Sequence, residues 1–206
     1  MLGRVRTAVL VSGGGTNLQA LIGARDRGEL PSCELALVLS DRPGAFALER
    51  AARAGIPSAV VDHENRRDFG RAVLDTLTRY GIEFVVCAGF LPILNGDFCA
   101  AYAGRCVNVH PSLLPDFGGK GMYGLHVHEA VLSSGRAVTG ATVHYVSDIV
   151  DGGEIIRQKT VPVRPGDTPE TLQRRVMEQA EWSILPMAAE DCCRGILQAR
   201  AKHAGG

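Results

Sequence analysis

The sequence carries no excess of either charge, since its 22 Lys and Arg residues are matched by 22 Asp and Glu. No global field therefore draws the chain to nucleic acid or an anionic membrane, and any anion must be held locally. Long apolar runs are absent as well. Stretches such as Phe84 to Phe90 fall far short of the roughly 20 residues a membrane-spanning helix needs. Met1 to Thr7 lacks the apolar core of a secretory signal. A cytoplasmic protein is the expectation. The six cysteines (Cys33, Cys87, Cys99, Cys106, Cys192, Cys193) include no CxxC pair, so a disulfide scaffold or zinc site is not expected, and they read as reduced, buried small hydrophobes. No repeat, low-complexity tract or linker divides the 206 residues, 46% of which are hydrophobic. One domain over residues 1–206 is the expectation.

What is present alternates between two periods. Arg6 to Ser12 is apolar and β-branched, three glycines break it, and from Asn17 to Arg27 the spacing of Leu18, Leu21 and Ile22 is helical. Leu35 to Leu39, Ala59 to Val61 and Phe84 to Ala88 read as further strands, with helices over Ala45 to Ala54 and Phe69 to Tyr80 between them. Such units imply parallel strands joined by right-handed crossovers, a doubly wound α/β fold. Cys106 to His110 reads as a buried central strand whose C-terminal end delivers Asn108 and His110 to a crevice. After a glycine-rich loop (Gly118 to Gly124) and a helix from about His126 to Ser133, Val138 to Val146 and Glu154 to Val163 form an antiparallel ribbon around Asp151-Gly152-Gly153. Thr168 to Arg200 is expected to be a terminal helix, with Thr168 as N-cap, Pro169 in its first turn and an interruption or kink at Pro186.

Three motifs carry chemistry. In Ser12-Gly13-Gly14-Gly15-Thr16-Asn17 the glycines let backbone amides face an anion, and the following helix N-terminus adds partial positive charge. Gly13 and Gly15 match part of a dinucleotide fingerprint, with Asp41 in place to mimic its ribose-binding acid, but Leu18 stands at the third glycine. No Lys follows as a Walker loop would require. A monophosphate fits best, and a ligand-free tight turn is the alternative. In Asn108-Val109-His110-Pro111-Ser112-Leu113-Leu114-Pro115 the strand period puts an amide donor and an imidazole on one face, an arrangement suited to a tetrahedral oxyanion. Ser112 lacks the G-x-S-x-G elbow of a hydrolase. In Asp148 to Gly153 a carboxylate on the ribbon loop would orient the histidine from the opposite wall and raise its pKa, although a plain hairpin turn accounts for the same residues. His110, His126, His128 and His144 lack the accompanying spacing of a familiar metal site, so no metal is expected. His126 is expected to support the site, and His144 to pack or hydrogen-bond beneath it.

Taken in this order, the motifs resemble the phosphoribosylglycinamide formyltransferases of purine biosynthesis. The resemblance covers nearly the whole chain, through Ser12 to Gln19, Ala88 to Leu94, Asn108 to Pro115, Gly124 to His128 and Val143 to Gly153. It implies a Rossmann-like formyltransferase fold with a phosphate-binding N-terminal half and a folate-binding C-terminal half. The implied activity transfers a formyl group from 10-formyltetrahydrofolate to the amine of 5-phosphoribosylglycinamide, giving formylglycinamide ribonucleotide and tetrahydrofolate. The resemblance further implies Asn108, His110 and Asp151 as a catalytic trio, in which Asn108 and protonated His110 meet the oxyanion and Asp151 keeps the imidazole charged. Gly15, Thr16 and Asn17 would hold the phosphate and Glu181 would contact the glycinamide end. Arg66, Asn108 and the segment Leu91, Pro92, Ile93 and Leu94 would contact the folate, whose pterin would lie against Ser147 to Asp151. Partners would be these small molecules alone, with no nucleic acid or membrane, on a monomer or homodimer.

Four departures accompany the resemblance. Gly14 stands where many members have Asn, Pro92 where a basic residue is frequent, and the helix around Glu181 needs a one-residue shift. The loop holding Lys120 is longer than in some members, leaving Lys120 either substrate-assisting or merely solvated. Methionyl-tRNA formyltransferases and formyltetrahydrofolate deformylases share the folate half, but each carries a further domain that 206 residues are not expected to hold. A non-catalytic nucleotide-binding module would leave the trio without a purpose.

Overall fold

The computed structural model describes residues 3–63, 68–94 and 96–204. Seven strands form one sheet: β1 (Val5–Val11), β2 (Cys33–Ser40), β3 (Ser58–Val60), β4 (Phe84–Cys87), β5 (Cys106–His110), β6 (Val138–Tyr145) and β7 (Ile155–Pro162). Their order is β3-β2-β1-β4-β5-β6-β7. The first five run parallel, while β6 pairs antiparallel with both β5 and β7. The chain winds outward from β1 to β3 and then returns to the other side of β1 as β4. The C-terminal ends of β1 and β4 therefore flank the point where strand order reverses, and in open α/β sheets a crevice forms there.

Helices cover both faces, which is why β1 and β4 read as nearly unbroken apolar runs. Alternate residues of β1 divide between two cores. Val9 and Val11 pack with Leu18 and Leu21 of α1 (Thr16–Asp26), Ala47 of α2 (Phe46–Arg53), Val131 of α5 (Leu125–Ser133), Leu172 of α6 (Pro169–Val176) and Leu185 of α7 (Trp182–Ala204). Ala8 and Leu10 pack on the other face with Val73 and Leu77 of α3 (Phe69–Arg79) and Phe98 of α4 (Asp97–Ala101). All six cysteines are buried free thiols. Among the described residues no helix is long and apolar enough to cross a membrane.

Thr168 caps α6 as the sequence predicts, in a reciprocal pair with Thr171, and Pro169 opens the helix. The interruption lies elsewhere than expected. Pro186 sits inside α7, and the break is a π-helical turn at Met177–Glu181, immediately ahead of it. Proline removes a donor and crowds the carbonyl one turn back, and the wide turn just before it takes up one extra residue. Helix α4, at five residues, is too short for periodicity to reveal.

Candidate active site

The β1–α1 loop is built from outside inward. Gly15 sits at φ 70°, and a Cβ there would lie 2.6 Å from Ala47 Cβ, so only glycine fits both the backbone and the space. Gly15 O accepts the N–H of Gln19 and starts α1, while Gly13 O accepts the N–H of Ala47. The N–H groups of Gly14, Gly15, Thr16 and Asn17 meet no acceptor among the described residues. All four residues border a cavity of about 880 Å³. Four unspent donors at a helix N-terminus make an anion cradle.

The second wall comes from β5 and the ribbon. Asn108 and His110, two residues apart on β5, face the cavity, and Asp151 reaches them from the loop between β6 and β7. His110 is 3% exposed. Its Nδ1 lies 3.4 Å from Asp151 Oδ2, and its Nε2 is 2.8 Å from the Phe117 carbonyl. A carbonyl only accepts, so Nε2 carries a hydrogen. Asp151 Oδ2 also receives the Gly119 N–H at 2.9 Å, and Oδ1 lies 3.5 Å from His144 Nε2. His144 donates from Nδ1 to the Tyr145 carbonyl, leaving Nε2 to accept an N–H of Asn108 at 3.2 Å. The second N–H of that amide remains for a ligand. His144 thus lies beneath the site and hydrogen-bonds into it, as expected.

The electrostatic balance at His110 runs opposite to the expectation. Burial pushes its pKa below the ordinary value and outweighs the opposing pull of Asp151 and the Phe117 carbonyl. Asp151 itself is held below the usual carboxylate range. Burial alone would raise it, but the His144 contact, the His110 charge and the Gly119 N–H together prevail. Asp151 adopts φ 55°, and the glycines after it are sterically required: a Cβ on Gly152 would meet Ile149 Cγ2 at 2.5 Å, and one on Gly153 the Tyr145 carbonyl at 1.8 Å. The Asp-Gly-Gly step is therefore both a tight turn and the carrier of a carboxylate aimed at two histidines.

Leu91, Pro92, Ile93 and Leu94, following β4, border the same cavity, opposite Ser147, Ile149 and Val150. Leu91, Ile93 and Ile149 expose large apolar surface at its mouth, whereas Leu94 is buried in the core. The Asp148 carboxylate accepts the Gly96 N–H at 2.9 Å and ties these two loops together. Ser12 ties the first to the glycine loop: its N–H reaches the Gly89 carbonyl and its hydroxyl accepts the Leu91 N–H at 2.9 Å. Glu181, on the π turn, also borders the cavity and accepts from Asn17 Nδ2 at 2.7 Å. Burial pushes its pKa up to about 7, against the lowering effect of the Asn17 bond.

Arg66 lies outside the described residues. Lys120 borders the cavity yet is exposed, at the rim. His126 does not join the site: its side chain is exposed, edge-on to Tyr123 and 3.4 Å from Glu129. Sequence reasoning missed Gln173 and Met177, which border the cavity from the α6 side, and the place of His128. His128 is fully buried at the cavity wall, with neither ring nitrogen partnered among the described residues. Burial, assisted by the neighbouring His110, pushes its pKa down to about 4. No local signal marks these residues, because a helical stripe of mixed polarity reads as an ordinary surface. Among the described residues no group of three or more His, Cys, Asp or Glu is arranged to hold a metal ion.

Comparison with known proteins follows the same geometry. The formyl transferase family matches residues 5–188. The trifunctional purine biosynthetic protein adenosine-3 of Gallus gallus is 43% identical over 95% of the chain, which spans 19% of that longer protein. The phosphoribosylglycinamide formyltransferase of Haemophilus influenzae is 37% identical over 94% of the chain and 89% of its own length. Among solved structures, glycinamide ribonucleotide transformylase 1 from Symbiobacterium toebii superposes with a TM-score of 0.87 at 39% identity, covering 95% of this chain and 90% of that one. With the family's pattern matched over most of its length and a fold shared with its solved members, the chain belongs to the formyl transferases.

Proposed function

We propose that the protein is a phosphoribosylglycinamide formyltransferase, moving the formyl group of 10-formyltetrahydrofolate to the amine of 5-phosphoribosylglycinamide. The observation that carries this reading is the sharing of one cavity by an anion cradle and the cluster of Asn108, His110 and Asp151. A phosphate in the cradle of Gly15, Thr16 and Asn17 fixes one end of the acceptor. Glu181 meets its glycinamide half, and the folate lies along Leu91 to Leu94 with its pterin against Ser147 to Asp151. The domain is single, its substrates are small molecules, and it works in the cytoplasm as a monomer or homodimer.

In this mechanism the acceptor amine attacks the formyl carbon, forming a C–N bond. Negative charge then develops on the formyl oxygen. The free N–H of Asn108 and the His110 ring meet that charge, the ring exchanging its bond with the Phe117 carbonyl for one with the oxygen. Burial disfavours the charged form of the His110 ring, while the growing oxyanion together with Asp151 favours its protonation as the reaction proceeds. Collapse breaks the bond to folate N10, which takes up a proton as the amine gives one up. Holding both substrates in line supplies much of the barrier reduction.

An acceptor panel tests the proposal. The protein is incubated with 10-formyltetrahydrofolate and, separately, phosphoribosylglycinamide, methionyl-tRNA or water alone, while deformylated folate is followed. Turnover with phosphoribosylglycinamide alone is expected, and equal or faster turnover with tRNA or water contradicts the reading.

A further inference from the structure

The anion cradle is aimed by a neighbour that does not line it. In a trans peptide the carbonyl of one residue and the N–H of the next point in opposite directions. A partner that holds the carbonyl from behind therefore turns the N–H forward. Three successive carbonyls of the loop are held in this way. Gly13 O takes the Ala47 N–H and Gly15 O takes the Gln19 N–H, both backbone bonds. The one between them, Gly14 O, has a side chain as its partner: Arg50 donates to it from Nε at 2.8 Å.

Arg50, on α2, is itself held in place. Its Nη1 donates to Gln19 Oε1 at 3.0 Å, and its guanidinium stands 5.0 Å over the Phe46 ring. Its Cδ also comes within 3.4 Å of the place a Gly15 Cβ would take. Glycine at position 14 has no side chain with which to restrict its own backbone, so the orientation of the 14–15 peptide falls to this external contact. Nothing else among the described residues bonds to that carbonyl.

Resting on the proposed phosphate subsite, we infer that Arg50 is a positioning residue for it. By fixing the Gly14 carbonyl outward it points the Gly15 N–H at the phosphate, so that the arginine acts through hydrogen-bond direction more than through its charge. A lysine keeps the charge but cannot donate in the plane to Gly14 and Gln19 together while stacking on Phe46.

Dissociation constants of wild type, Arg50→Lys and Arg50→Gln are measured at low and high salt for phosphoribosylglycinamide, its dephosphorylated counterpart and 10-formyltetrahydrofolate. Both variants are expected to weaken phosphoribosylglycinamide at least ~5-fold, the scale of one well-made hydrogen bond, by the same factor at both salt concentrations. The other two ligands are expected to bind as they do to wild type. Wild-type affinity in Arg50→Lys, with loss confined to Arg50→Gln and fading in salt, shows charge alone and overturns the inference. Equal weakening of all three ligands shows general damage and overturns it too. If wild type does not distinguish the phosphorylated from the dephosphorylated ligand, the phosphate subsite itself falls, and the role of Arg50 falls with it.

Discussion

Asp151 is the residue on which the proposed chemistry turns, because one carboxylate faces His110 and His144 and is anchored by the Gly119 N–H. Asn at this position keeps the size and tolerates the positive φ, but removes the charge. Asp151→Asn is expected to leave the fold intact and lower turnover at saturating substrate by at least roughly 100-fold, the scale of a positioned electrostatic partner. In labelled-imidazole NMR, His110 of the variant is expected to titrate at still lower pH than in wild type. Near-normal turnover with an unchanged titration would return Asp151 to the role of a turn residue. Gly15 offers a structural counterpart. Gly15→Ala places a Cβ into Ala47 at a left-handed φ, so denaturant unfolding is expected to show a loss of about 1–3 kcal/mol together with weakened binding of the phosphorylated substrate. An alanine variant as stable as wild type would refute the steric account.

Elements matter where their irregularity does something, and the π turn at Met177–Glu181 is the clearest case. By taking up an extra residue ahead of Pro186 it brings Glu181 to the cavity wall, where burial raises the carboxyl pKa to about 7. The folded pKa lies above the ordinary value of 4.5, so the native state binds the proton more tightly than the unfolded chain does. The stabilisation is full below the ordinary value and is lost as pH rises through about 7. Glu181→Gln, which keeps an acceptor for Asn17, is therefore expected to gain in thermal midpoint over wild type as pH goes from 5 to 8. A difference that does not change with pH would show that Glu181 is not titrating in this range. Neither the π turn nor the raised carboxyl pKa was visible in the sequence. Thr168 to Arg200 reads as one helix because helical periodicity tolerates a single inserted residue, and Pro186 marks the disturbance without locating it.

At the scale of the whole molecule, the sheet's reversal between β1 and β4 brings the two proposed substrate regions together, and Ser12 at the end of β1 joins them. Ser12→Ala leaves the Leu91 N–H without its acceptor, the loss of one hydrogen bond worth about 0.5–1.5 kcal/mol. It is expected to lower stability to denaturant and to weaken folate binding through the displaced Leu91 to Leu94 segment. Unaltered folate affinity would show the two loops to be independent.

Much of this architecture was legible in the sequence, because strand and helix periods and glycine breaks are local. The glycine loop, Asn108 and His110 at one strand end, and the Asp-Gly-Gly turn all stand where their motifs predict. What escaped is set by neighbours distant in sequence. The Phe117 carbonyl on His110, Arg50 behind Gly14 and the burial of His128 without a partner among the described residues depend on packing between elements. The sign of the His110 shift depends on how completely the sheet and its helices enclose the ring.

Following the transferred carbon tests the central claim most directly. With 10-formyltetrahydrofolate labelled with carbon-13 in the formyl group, and equimolar phosphoribosylglycinamide, NMR reads where the label goes. The account predicts a new formamide signal on the phosphorylated acceptor, formed at catalytic rate by wild type and strongly slowed in Asp151→Asn. Label released mainly as formate, or transferred as well by the Asp151→Asn protein, would contradict it.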